Sequence, residues 1–243
     1  MSRAGDLELE PERYELREGP AYRFDLDRRE FLRAAGGGLV VLLLVRGAPS
    51  LQEPGRGSDG PTEIGAWLRI GEDGTIVAYT GKAEVGQDIR TSLAQAVAEE
   101  LAVSPEDVRL CMADTDLTPY DAGTFGSRTT PTMSRLLRRA GAAARERLRD
   151  KAAERWGVSR AEVSVEGGRL LHAPSNRAAG FGEITKGEKL AHAIEGDVPT
   201  TPPEEWKSIG RSIRKANGEA MVTGRHRYAF DVRRPGMLFG KVL

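Results

Sequence analysis

The sequence predicts an α+β fold in which strand–loop–helix units share a mixed sheet. Three observations point there. Residues 66–70 and 75–79, apolar and rich in β-branched and aromatic side chains, read as strands, and Glu72-Asp73-Gly74 between them is a hairpin signal. Residues 89–101 and 133–156 read as helices, the first with Leu93, Ala96, Val97 and Leu101 on one face. Two glycine-bearing loops, 81–88 and 114–130, each stand between a strand and a helix.

In chain order, residues 1–26 are polar and irregular, an N-terminal extension without periodicity. Asp27-Arg28-Arg29-Glu30-Phe31-Leu32-Arg33 then leads into the apolar run 34–45. As a helix that run would span about 18 Å against ~30 Å of bilayer hydrocarbon, too short for a comfortable crossing. Gly36-Gly37-Gly38 weakens it further. A paired arginine, a Phe-Leu-basic step and a short apolar stretch match a twin-arginine export signal over 27–50, which implies a periplasmic or membrane-associated protein. Asp27 stands where Ser or Thr is usual, and Ala48-Pro49-Ser50 is a poor cleavage site, so retention as an anchor stays open. Residues 51–62, rich in Gly, Pro and charge, read as a linker.

Further along, Ser104-Pro105-Glu106-Asp107 is a cap and short turn before a strand at 108–112. Residues 161–172 form a hairpin around Glu166-Gly167-Gly168, and 183–191 reads as a short helix. Residues 199–207 are an extended, proline-bearing linker, and 208–243 has strand-and-turn character. Residues 236–243 are a hydrophobic strand pattern with no polar terminator, so the strand is expected to continue in a longer chain or to pair with another.

Charge and cysteine usage narrow the function. Lys+Arg and Asp+Glu are both 36, for a formal net charge of zero, which argues against nucleic-acid binding driven by bulk charge. The arginines of 133–156 lack aromatic interleaving and read as a solvated face with i,i+4 pairs. Cys111 alone makes no intrachain disulfide and no Cys-ligated zinc or iron–sulfur site within the chain. His172, His192 and His226 have no ligand spacing, so no metal site is expected from protein side chains. No Ser-His-Asp set and no P-loop is present.

The chemistry lies in the two loops. In the first, Gly86 lets the backbone approach a ligand, Gln87 offers an amide that donates and accepts, and the helix N-terminus behind them favours an anion. A structural turn with a solvated Gln87 fits the same residues. In the second, Gly126, Ser127, Thr129 and Thr130 present N–H groups and hydroxyls suited to an oxyanion, with Arg128 adding charge. A hydroxyl-rich helix cap fits these equally.

Taken together, Gly-Lys-x-Glu-x-Gly-Gln at 81–87, Asp-Thr-x-x-Thr-Pro-Tyr at 114–120 and Gly-Thr-Phe-Gly-Ser-Arg at 123–128, behind a twin-arginine leader and the Trp67 hairpin, resemble a known family. It is the molybdopterin-binding large subunit of the xanthine dehydrogenase/aldehyde oxidase family, in particular the isoquinoline 1-oxidoreductase β-subunit type. The resemblance covers about 27–243. It implies that 63–198 is a portion of a molybdopterin-binding domain and that 208–243 is the truncated start of a hammerhead domain.

It further implies an exported molybdenum hydroxylase that oxidises N-heterocycles or aldehydes with water-derived oxygen. The cofactor would be molybdopterin cytosine dinucleotide with molybdenum. The partners would be an iron–sulfur small subunit and the remainder of the large subunit, on the same or a separate polypeptide. By position, Gly86, Gln87, Thr124, Phe125, Gly126, Ser127 and Arg128 inherit cofactor contact. The family often has Gly where Asp88 stands, and a carboxylate there would repel a phosphate. The family's catalytic glutamate lies near its far C-terminus, so no catalytic residue is expected here; Phe181-Gly182-Glu183 matches a helix start instead. A truncated or degenerate non-catalytic binding or assembly module of the same family is the alternative. A membrane-tethered interaction domain is a third reading.

Overall fold

The computed structural model describes residues 37–46, 62–121, 123–194 and 198–242. Its main sheet has five strands in the order β4-β3-β2-β1-β8. They are β1 (Gly38–Arg46), β2 (Thr62–Ile70), β3 (Ile76–Thr80), β4 (Val108–Met112) and β8 (Lys189–Ile194). β1–β2 and β2–β3 are antiparallel, whereas β3–β4 and β1–β8 are parallel, so the sheet is mixed and the α+β class stands. The predicted hairpin joins β2 to β3, closed by Gly71 N donating to Thr75 O at 2.8 Å. A parallel pair needs a crossover, and helix α1 (Ile89–Leu101) supplies it between β3 and β4.

Helix α2 (Thr129–Trp156) lies against α1, β1 and β2. Its Met133, Leu137, Ala140, Ala144, Leu148 and Ala152 recur at helical spacing and are fully or almost fully buried. They meet Leu39, Val41, Leu43, Leu68 and Ile70 from the sheet and Leu93, Val97 and Leu101 from α1 in one core. Gly141 lets the two helices approach, since a Cβ there would sit 3.0 Å from Glu100 Cβ. The opposite sheet face carries Trp67 stacked on Tyr79, with ring centroids 3.4 Å apart. A small antiparallel sheet, β5 (Ser164–Glu166), β6 (Arg169–His172) and β7 (Arg177–Gly180), follows α2 and leads to α3 (Phe181–Thr185).

Part of the leader-like run is a strand, and three sequence expectations further along the chain are corrected. Leader-like residues 38–46 are a strand between β2 and β8, with Leu39, Val41 and Leu43 completely buried. Arg28 and Arg29 lie outside the described residues. The helix expected over 183–191 stops at Thr185, and Lys189–Ile194 becomes β8 because pairing with β1 completes the sheet there. No strand forms among the described residues 208–242, which instead hold helix α4 (Gly218–Val222) and exposed Phe230, Leu238 and Val242. The arginine face of α2 is not simply solvated: Arg138 and Arg145 reach the fully buried Glu100, at 2.7 and 3.1 Å.

The segment after β8 is strapped along α1. Glu100 also accepts from Thr201 N and Thr201 Oγ1, both at 2.9 Å. Glu99 accepts from the backbone of Lys207, Ser208 and Ile209 at 2.7–2.9 Å. Towards the other end of α1, Ala216 N donates to Thr91 Oγ1 and Lys215 Nζ to Gly86 O, each at 3.0 Å.

Candidate functional site

Because β3 and β4 are parallel neighbours, the loops leaving their C-terminal ends emerge side by side. They are tied together at several points. Lys82 Nζ donates to Asp121 Oδ1 and Gly123 O, both at 2.7 Å, and the Lys82 and Asp121 side chains are 7% and 4% exposed. Asp121 Oδ1 also accepts from Gly123 N at 2.9 Å, so both charges are fully engaged. Ala83 N donates to Thr124 Oγ1 at 2.8 Å. Gly81 permits the close approach, since a Cβ there would lie 2.4 Å from Pro119 O.

Within the first loop, Glu84 turns back on the start of α1. Its Oε1 accepts from Gly86 N (2.7 Å) and Asp88 N (3.0 Å), and its Oε2 from Arg90 N (3.0 Å). Burial pushes the Glu84 carboxyl up, but the Arg90, Asp88 and Gly86 N–H groups and nearby Lys215 outweigh it and hold the group below its ordinary value. The helix N-terminus expected to receive an external anion is therefore occupied by the chain's own carboxylate. The Gln87 amide is likewise turned inward, its Oε1 accepting from Val85 N (2.6 Å) and its Nε2 donating to Ala83 O (3.0 Å). Gly86 has φ +108 with open space around an added Cβ, so backbone conformation rather than room demands glycine. Asp88 sits at φ +66, which explains why glycine suits that position, and its carboxylate accepts from Thr91 Oγ1 at 2.5 Å.

The second loop behaves differently. Asp114 folds its own start, accepting from Asp116 N and Leu117 N at 3.0 and 3.1 Å. Gly126 and Ser127 take positive φ, +64 and +54, immediately before α2. No side chain caps that helix. Pro131 in its first turn has no N–H to satisfy. Thr130 Oγ1 lies 3.2 Å from Ser92 Oγ of α1.

Between the loops is a hollow of about 390 Å³ lined by Val85, Gln87, Ile89, Thr124, Phe125, Ser127, Thr129 and Thr130. Of the predicted site residues, it brings together Gln87, Thr124, Phe125 and Ser127. Gly86, Gly126 and Arg128 are not in its wall: the two glycines shape the turns and Arg128 precedes the helix. The Thr124 hydroxyl is committed to the other loop. Asp88 is also outside the wall.

The wall contains hydroxyls at an uncapped helix N-terminus, no carboxylate, and the exposed apolar faces of Phe125 and Val85, 54% and 79% exposed. That donor set fits an anionic group attached to a flat ring system. Among the described residues, no cluster of His, Cys, Asp or Glu could hold a metal ion. A larger hollow of about 480 Å³ near Ala94, Pro105 and Ile213 includes none of the predicted residues. Sequence reasoning missed Glu84 and the Lys82–Asp121 tie. Glu84 alone left a signal, a carboxylate just ahead of a helix start, where helix-start amides lack partners.

The molybdopterin cofactor-binding domain family matches residues 21–230. A nicotinate dehydrogenase chain of Pseudomonas putida is 33% identical over 181 residues, covering 74% of this chain and 15% of that protein. The isoquinoline 1-oxidoreductase β chain of Brevundimonas diminuta is 28% identical over 215 residues, covering 72% of this chain and 28% of that protein. The crystal structure of quinoline 2-oxidoreductase from Pseudomonas putida 86 aligns with a TM-score of 0.42 at 27% identity, over 49% of this chain and 15% of that one. The chain thus spans under a third of each relative's length.

Proposed function

The chain belongs to the molybdopterin cofactor-binding domain family, and we propose that it supplies part of the cofactor cradle in the large subunit of a molybdenum hydroxylase. The observation that carries this is the carboxylate-free hollow between the two loops, opening on the uncapped start of α2. Its Ser127, Thr129 and Thr130 would bind the anionic part of a molybdopterin cytosine dinucleotide, and Phe125 and Val85 would cover its ring faces. Gln87 lines the same wall, and its amide keeps one N–H free beside its bond to Ala83 O. When bound, the cofactor supplies the redox centre for hydroxylation by water-derived oxygen. The residues of this chain bind and orient it and keep the two loops in register. The catalytic base is assigned to segments beyond this chain, and Glu183 is read as a first-turn carboxylate of the short helix α3.

N-heterocycles or aldehydes as substrates, an iron–sulfur subunit as electron exit and the remaining large-subunit segments as partners belong to the same proposal. The relatives' names, nicotinate dehydrogenase and isoquinoline 1-oxidoreductase, support heterocycle oxidation. The complete enzyme tests it. Gln87→Ala and Ser127→Val should each lower pterin and molybdenum per protein, and unchanged content in both would refute the cradle.

Export through a twin-arginine route is proposed on Arg28-Arg29 and the run behind it. Since Gly38–Arg46 forms β1, reading the leader requires that strand to leave the sheet. N-terminal sequencing of protein recovered from the periplasm or membrane decides whether the strand is retained; recovery only from the cytoplasm counts against export.

A further inference from the structure

Two helices start side by side at this site, and their N-terminal amides are used in opposite ways. At α1, Glu84 takes the N–H groups of Gly86, Asp88 and Arg90, while Gln87 takes that of Val85. Three loop amides and one from the first turn of α1 thus end on the loop's own side chains. Lys215 closes the arrangement from outside by donating to Gly86 O. At α2, the cap residue Arg128 makes no side-chain capping hydrogen bond, and the hollow opens on the first turn. Glu84 sits where the positive end of the helix favours an anion, while its own charge opposes the arrival of a second one.

We propose that Glu84 is a built-in anion, a positioning residue that fills the α1 cradle, fixes the Gly86 turn so that Gln87 lines the hollow, and directs the cofactor's phosphate to the start of α2. This rests on the cofactor-cradle reading above and adds to it which of two adjacent amide cradles the phosphate takes. Two open cradles would let a phosphate divide between them. With one permanently filled, a single register remains. Gly86 and Gln87 then act through their shape and amide, not by offering the loop's N–H groups to phosphate.

The proposal has a chemical signature. Glu84→Ala leaves three N–H donors around a space the size of a small carboxylate, which formate can enter. Glu84→Gln keeps the shape but removes the charge and turns an amide NH₂ towards N–H donors.

The test uses the complete enzyme as wild type, Glu84→Ala and Glu84→Gln. Pterin and molybdenum per protein are measured, and the melting temperature of cofactor-free protein is followed against sodium formate, with sodium chloride as the ionic-strength control. Both variants should retain about tenfold less cofactor, the scale for losing a group that orients a ligand-binding one. Formate should raise the melting temperature of Glu84→Ala saturably, leave wild type unmoved, and restore cofactor retention when present during loading. Wild-type cofactor content in either variant overturns the proposal. So does a Glu84→Ala protein that loses cofactor and ignores formate, since Glu84 would then be merely structural. If Glu84→Ala does not fold, Glu84→Gln decides by its cofactor content. A wild-type enzyme without pterin overturns the cradle reading, whereas the formate response still reports on Glu84.

Discussion

The start of α1 and the start of α2 make an instructive pair. Both helices follow parallel strands, both are preceded by glycine at positive φ, and both entry loops contain acidic residues. Yet one start is closed by Glu84 and the other is open. The difference lies in where the carboxylate falls. Glu84 stands two residues before Gly86, and the turn swings it onto the amides. Asp114 stands far ahead of α2 and folds the beginning of its own loop. What remains near α2 are hydroxyls, which leave room for an incoming anion. Glycine and acid in a loop therefore do not by themselves make a self-capped turn; here the offset between them separates the capped start from the uncapped one.

The comparison breaks most completely if the loops are uncoupled. Lys82→Ala leaves the Asp121 carboxylate buried without its cation, at a cost of about 3–5 kcal/mol. Denaturant unfolding should show this loss, and hydrogen exchange should show both loops opening together. Stability within ~0.5 kcal/mol of wild type would mean that the tie does not hold the site together. A smaller effect sharpens the comparison at the glycines. Gly126→Ala places a Cβ at φ +64, costing about 1–2 kcal/mol. Because the surrounding space is occupied only by Arg128 methylenes at 3.6 Å, the cost should be conformational and should appear as a lower melting temperature without loss of fold.

The smallest effect is the pH dependence of Glu84. Its folded value lies below its ordinary one, so its contribution is complete above the unfolded value near ~4.3 and disappears as pH falls through the lower folded value. Wild type should therefore exceed Glu84→Gln in stability at neutral pH, and the gap should close on acidification below about pH 4. A gap that stays constant across that range would show that the carboxylate's charge contributes nothing at the α1 start.

Much of the fold was legible because it is local. The β2–β3 hairpin needs only two short strand-forming runs and Glu72-Asp73-Gly74 between them. Helix 89–101 was read with its observed limits because its apolar face and the glycine loop ahead of it lie within one short window. The order of strand, glycine loop and helix, repeated at 76–101 and 108–156, placed both loops at one sheet edge. Gln87, Thr124, Phe125 and Ser127, singled out by the family resemblance, line one hollow between those loops.

Other features were illegible for a physical reason. An apolar run such as 38–46 satisfies a leader, a helix or a buried strand equally, and only the space between β2 and β8 selects the strand. Residues 189–194 carry weak periodicity, and their strand form depends on β1 being there to pair. Glu99 and Glu100 look like surface acids of a helix, but the backbone of 201–209, about a hundred residues away, converts them into buried anchors. Local elements, turn chemistry and the residue types gathered at the loops follow from short stretches of chain. The tertiary structure alone decided which amides stay open to a ligand, because a backbone N–H goes to whichever acceptor the fold brings within about 3 Å.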